Sequence, residues 1–164
     1  MKPFEGLGNS SGSQPVSPDE ALAKVQRRFK KVLLVDDSES LVETLVIFFE
    51  LEGFSARGVY GGTRAMEAYD QDVPDIAFID IAMPDVDGLA VARHFRSSER
   101  EKRTLLVALT GWGEDAVKQD AERAGFDFFM SKPLAPTSIR NFMALLVCDL
   151  LESGDQESTG CQPD

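Results

Sequence analysis

Five short apolar runs recur along the chain, and each is followed by a stretch with helical periodicity. "KVLLVDD" (31–37), "FSARGV" (54–59), "DIAFID" (75–80), "TLLVALT" (104–110) and "FDFFM" (126–130) have the length and apolar density of buried strands. After the first run Leu41, Leu45, Phe48 and Phe49 share one helical face, and Gly53 closes that helix. A short helix is expected over 62–71 and another over "GLAVARHFRSS". Helical pattern also follows the fourth run. The last helix, roughly 135–151, carries Ile139, Phe142, Met143, Leu146 and Leu150 at helical spacing. Five strands alternating with five helices mean a parallel sheet covered on both faces. Right-handed crossovers make it a doubly wound α/β sheet, whose ligands sit at the carboxyl ends of the strands.

The carboxyl edge of that sheet is therefore where chemistry is expected. The first strand ends in Asp36 and Asp37, the third in Asp80, and the fourth in Thr110, while Lys132 lies just past the fifth. A carboxylate driven into the end of a buried strand is costly unless something pairs with it. Three carboxylates meeting at one edge repel each other strongly without a cation. All the ligands on offer are oxygens, which suits a hard ion, and a phosphate nearby favours Mg2+. One ion, one lysine and one hydroxyl are enough to hold the three equatorial oxygens of a phosphoryl group. A carboxylate can then act as covalent acceptor, giving an aspartyl phosphate, and the centrally placed Asp80 is the natural candidate.

Composition narrows the class of protein. With 164 residues, 43% hydrophobic and 27% charged, the chain suits one soluble globular domain. No apolar stretch approaches the ~20 residues that span a bilayer, and "MKPFEGLGNSSGSQPVSP" has no signal-peptide core. Cys148 and Cys161 lack metal-ligand spacing and fit a reducing cytoplasm. The net charge of −11 is unevenly spread: Lys/Arg outnumber Asp/Glu by six to three in 1–31, but are outnumbered by twenty-one to eleven in 32–151 and by four to none in 152–164. An acidic body of this kind disfavours direct contact with nucleic acid. Residues 1–29 read as a flexible leader containing a short helix over 18–29. Ser17 and Glu20 form a capping box there, Pro18 takes the first helical position, and Leu22, Val25 and Phe29 share a face. Residues 152–164 read as a disordered polar tail.

The quoted segments "VDD" (35–37), "FIDIAMPDVDG" (78–88), "ALTGW" (108–112) and "MSKPL" (130–134) resemble the receiver domain of two-component response regulators, over residues 30–151. The resemblance implies a flavodoxin-like (βα)5 fold with sheet order 2-1-3-4-5. It implies Asp80 as phosphoacceptor, supplied by a histidine kinase or a histidine phosphotransfer protein. Asp37 matches a direct Mg2+ ligand, Asp36 its partner acting directly or through water, and Ala82 a main-chain carbonyl ligand. Thr110 and Lys132 match the switch hydroxyl and the phosphate-binding lysine, and Phe129 falls at the aromatic switch position. A cis bond is expected at Lys132–Pro133. Such a domain signals; its only chemistry is to take a phosphoryl group from a donor and lose it again.

Other chemistries fit less well. Haloacid-dehalogenase-type phosphatases need a second carboxylate two residues after the nucleophile, where this chain has Ala82. Placing Gly88 at the sixth position of a calcium loop puts Met83 first and His94 twelfth, where carboxylates are required. A flavin site wants phosphate-cradling donors after the first strand, and "DDSES" presents carboxylates instead. His94 reads as a surface side chain. Only thirteen residues follow 151, so output is expected through protein–protein contact or onward relay. Two contexts remain open, a stand-alone regulator and the C-terminal receiver of a hybrid sensor kinase. Family receivers use the face of the fourth helix, fifth strand and fifth helix for partners and dimers. The surplus of Leu145, Val147 and Leu151 on the last helix points either to a homodimer through 139–151 or through the 18–29 helix, or to burial of the last helix under a docked leader helix. Trp112, two residues past Thr110, is expected either to pack locally over the edge of the fourth helix or to shield the phosphorylation site from water.

Overall fold

A computed structural model describes residues 2–3, 17–99, 102–111 and 115–154. The elements in chain order are β1 (Lys2–Pro3), α1 (Pro18–Arg28), β2 (Lys31–Val35), α2 (Glu39–Leu51), β3 (Ser55–Val59) and α3 (Gly62–Gln71). They continue with β4 (Ile76–Asp80), α4 (Gly88–Ser98), β5 (Leu105–Thr110), α5 (Asp115–Ala124), β6 (Phe128–Ser131) and α6 (Pro136–Gly154). The strands form one sheet in the order β1-β6-β5-β4-β2-β3, and every pairing is parallel. Setting aside the two-residue β1, the order β3-β2-β4-β5-β6 is the flavodoxin-like 2-1-3-4-5 arrangement.

Side-chain alternation along the strands divides the core into two layers. Val32, Leu34, Ile76, Phe78, Val107, Leu109 and Met130 face one side, where α1, α2 and α6 pack. Leu33, Val35, Ala77, Ile79, Leu106, Ala108 and Phe129 face the other, against α3, α4 and α5. All five residues of β4 are buried, as its central place requires.

The helix before β2 docks on the domain. The Ser17 hydroxyl accepts from the Glu20 N–H at 3.2 Å, and the Glu20 carboxylate accepts from the Ser17 N–H at 3.2 Å, with Pro18 opening the helix. Its inward face differs by a step from the expected one. Ala21, Val25 and Phe29 are buried, whereas Leu22 is only half-buried, because the small Ala21 lets the helix lie close to α6. Ile139, Phe142, Met143, Leu146 and Val147 of α6 belong to the same apolar cluster as Ala21, Val25 and Phe29. The two segments offered for a homodimer thus pack on each other within one chain. Helix α6 also runs to Gly154, past the expected end at 151.

Candidate functional site

Strand ends build the site. Strand β2 carries the chain to Asp36 and Asp37, β4 ends at Asp80, β5 ends at Thr110, and Lys132 follows β6 by one residue. Their parallel register sets Asp80 beside Leu109 and Thr110 beside Ser131, so all five residues emerge at one edge. Asp36 and Asp80 are buried, at 1% and 4% exposure, while Asp37 is exposed. One carboxylate oxygen from each of the three lies within 4.8 Å of the others. The Lys132 ammonium sits 2.5 Å from Asp36 Oδ2 and 3.3 Å from Asp80 Oδ2. Its backbone N–H donates to the Thr110 carbonyl at 2.7 Å, which fixes the base of the side chain. The peptide bond Lys132–Pro133 is cis.

Local hydrogen bonds aim the two buried carboxylates. Asp36 Oδ1 accepts from the Ser38 N–H at 2.9 Å, and Asp80 Oδ1 accepts from the Ala82 N–H at 3.1 Å. Ser38 takes the N-cap position of α2 without a side-chain cap bond. The turn after Asp80 is built for close approach. A Cβ on Gly88 would lie 2.3 Å from the Asp80 carbonyl oxygen, so only glycine fits. Asp85 adopts φ 66°, and Asp87, not singled out from the sequence, caps α4 by accepting from the Ala90 N–H at 2.8 Å. The carboxylate that ends β4 and the sharp turn beyond it are thus one unit.

Charge is unevenly balanced here. Burial, and then the neighbouring Asp36 carboxylate, push the Asp80 carboxyl above its ordinary pKa, against the opposing pull of Lys132 and the Ala82 N–H. For Lys132, burial works against the ammonium, but the hydrogen bond to Asp36 and the charges of Asp80 and Asp36 outweigh it and raise its pKa. An all-oxygen set of three carboxylates served by one ammonium fits a hard divalent cation such as Mg2+.

The remaining expected residues have definite places. Thr110 is buried at the end of β5. Phe129 lies further down β6 with its ring in the core, and the Lys118 ammonium stands 5.1 Å from the ring centroid. Ala82 sits on the turn after β4, its side chain exposed. His94 is remote from these carboxylates in the middle of α4, with Nε2 3.1 Å from Asp70 Oδ1. Trp112 and Cys161 lie outside the described residues.

A parallel flavodoxin-like sheet that gathers Asp36, Asp37, Asp80, Thr110 and Lys132 at its carboxyl edge is the architecture of a class of signalling domain. The response regulator receiver domain family matches residues 32–144, and the chain belongs to that family. The regulatory protein VanRc of Enterococcus gallinarum is 29% identical over 110 residues, which are 67% of this chain and 46% of VanRc. The hybrid signal transduction histidine kinase L of Dictyostelium discoideum is 32% identical over 119 residues, covering 69% of this chain and 7% of the kinase. A CheY-like response regulator receiver domain from Methylobacillus flagellatus superimposes with a TM-score of 0.62 at 30% identity, covering 72% of this chain and 98% of that domain. The chain spans about half or less of the length of the curated relatives it matches. A receiver domain is a signalling domain rather than a classical enzyme. Among the described residues, no helix is long and apolar enough to cross a membrane.

Proposed function

We propose that this chain is the phosphoacceptor receiver of a cytoplasmic two-component phosphorelay and that Asp80 takes the phosphoryl group. The observation that carries this reading is the buried Asp80 carboxylate, held between the Ala82 N–H and the Lys132 ammonium within reach of Asp36 and Asp37. In the transfer, an Asp80 oxygen attacks phosphorus in line. An O–P bond forms as the P–N bond to the donor imidazole breaks, and the imidazole leaves with the bonding pair, which picks up a proton. Asp36, Asp37, Asp80 and the Ala82 carbonyl would hold Mg2+, which would supply positive charge to the phosphoryl oxygens. Asp36 orients Lys132 through their hydrogen bond, and the Lys132 ammonium and Thr110 hydroxyl hold the other phosphoryl oxygens. Thr110 and Phe129 carry the switch to the surface.

Downstream, the reading assigns signalling by contact with a protein effector, without direct contact with nucleic acid or membrane. The likeness to a hybrid histidine kinase favours a second context, a receiver relaying phosphate onward from the end of such a kinase. Intact-protein mass spectrometry after incubation with acetyl phosphate and Mg2+ tests the assignment. One phosphoryl adduct, removed by hydroxylamine and absent in Asp80→Asn, is expected; equal labelling of Asp80→Asn refutes it. Return of the phosphoryl group to a histidine phosphotransfer protein distinguishes the relay context from the terminal one.

A further inference from the structure

The two edges of the sheet are treated differently. The β3 edge, "SARGV", carries Arg57 with its side chain donating to Gln71 at 3.1 Å, and Ser55 is exposed there. A charge on an edge strand is a standard obstacle to pairing with another chain. The β6 edge, "FFMS", has no charge at all, and three of its four residues are large and apolar. Such an edge, left open, is a template for strand addition. It is not left open. Lys2 pairs with Phe128 and Pro3 with Phe129, parallel to β6, so that β1 becomes the outermost strand. Pro3 lacks an N–H, which makes the new edge a poor template for any further strand.

We propose that the outer edge of β6 is a strand-addition site for an extended polypeptide segment, and that the chain's own Lys2–Pro3 is its resident occupant in cis. The occupant is matched to displacement rather than permanence. It is only two residues long. The thirteen residues 4–16 that join it to Ser17 reach at most about 45 Å when extended, which is ample for a cis contact. A connection of that length gives an effective concentration on the order of millimolar. An extended segment that binds this edge more tightly than that displaces Lys2–Pro3, and a weaker one is kept out. The occupied strand is also the one that carries Phe129 and leads into Lys132, so the cover lies on the polypeptide that supports the carboxylate site.

Amide hydrogen exchange in the full chain tests this, with a truncation that removes residues 1–16 but keeps the Ser17 cap. Exchange at residues 128–131 is expected to speed up about tenfold in the truncated protein, while β5 and α1 keep their full-chain rates. A synthetic peptide with the sequence of residues 1–6, added at several millimolar, is expected to slow exchange in β6 again. Lys2→Pro in the full-length chain removes the remaining β1 donor and is expected to reproduce the loss even where truncation disturbs the fold. Unchanged exchange at 128–131 in both variants overturns the proposal, as does a peptide without effect. Protection in the full chain that disappears on dilution overturns the cis assignment and points to a second copy as occupant.

Discussion

Replacing Asp80 by Asn separates the cost of the acidic cluster from the geometry that holds it. The amide keeps the oxygen that accepts from the Ala82 N–H and removes only the charge. At an effective dielectric near 20, like charges at the 4.8 Å limit of this cluster repel by about 3.5 kcal/mol. Asp36 exerts that in full because it is buried, and the exposed Asp37 exerts less. The Lys132 ammonium at 3.3 Å returns about 5 kcal/mol of attraction by the same rule. Burial then tips the balance against the charged form, in agreement with the raised pKa of Asp80. In the variant Lys132 is left to Asp36 alone. The metal-free variant is therefore expected to gain stability, and each 1 kcal/mol of gain raises Tm by about 2–4 °C for a chain of this size.

The pH dependence follows from the direction of the shift. A carboxyl whose folded pKa lies above its unfolded value is stabilised by protonation, so the wild-type penalty is present at neutral pH. That penalty is lost as pH falls through the folded pKa, which stands above the ordinary 3.8. Circular-dichroism melts in EDTA at neutral pH are therefore expected to place Asp80→Asn above wild type, and melts on the acid side to bring the two together. Saturating Mg2+ is expected to stabilise wild type more than the variant, since ligation favours the folded protein by mass action. A variant that melts clearly below wild type in EDTA refutes the clustered geometry.

Lys132→Met leaves Asp36 and Asp80 buried without their cation and is expected to cost about 2–3 kcal/mol in urea titrations without metal, somewhat under the fully buried figure because the ammonium keeps some water. Gly88→Ala forces the Asp80 carbonyl and the α4 start apart and is expected to lower Tm and slow labelling by acetyl phosphate; wild-type behaviour in both would show that the turn yields freely. At Asp75, burial alone would raise the pKa, but the Lys102 ammonium and the N–H groups of Lys31 and Lys30 outweigh it and hold the carboxyl low. Its contribution is thus present above the unfolded pKa and lost as pH falls through the folded one. Asp75→Ala is expected to cost about 2–3 kcal/mol at pH 7, with a gap to wild type that closes in acid denaturation curves.

What could be read from the sequence was what a short window contains. An apolar run with a carboxylate, hydroxyl or lysine at its end needs no partner to be recognised, so the five main strands and the residues at their carboxyl ends stood out. The opposite edge shows the limit of such reading. Asp75 opens the third apolar run and Asp127 interrupts the fifth, and both look like ordinary surface acids. In the fold, Asp75 accepts from the backbone N–H groups of Lys30 and Lys31, and Asp127 accepts from the Leu106 N–H and from Arg96. Both satisfy donors at the start of a neighbouring strand, and those donors lie 44 and 21 positions away in the chain for Lys31 and Leu106. The apolar surplus on α6 was visible, but its cause was not. Whether Val147 faces a second copy or the leader depends on where α1 lies, and α1 alone carries too few apolar residues to fix that. Its docked face includes Ala21, a residue small enough to vanish from a hydrophobic pattern, buried with Val25 and Phe29 in the cluster shared with α6. Strand β1 is the extreme case: "KP" has neither length nor β-propensity, and only the uncharged edge of β6, more than a hundred residues on, makes it a strand.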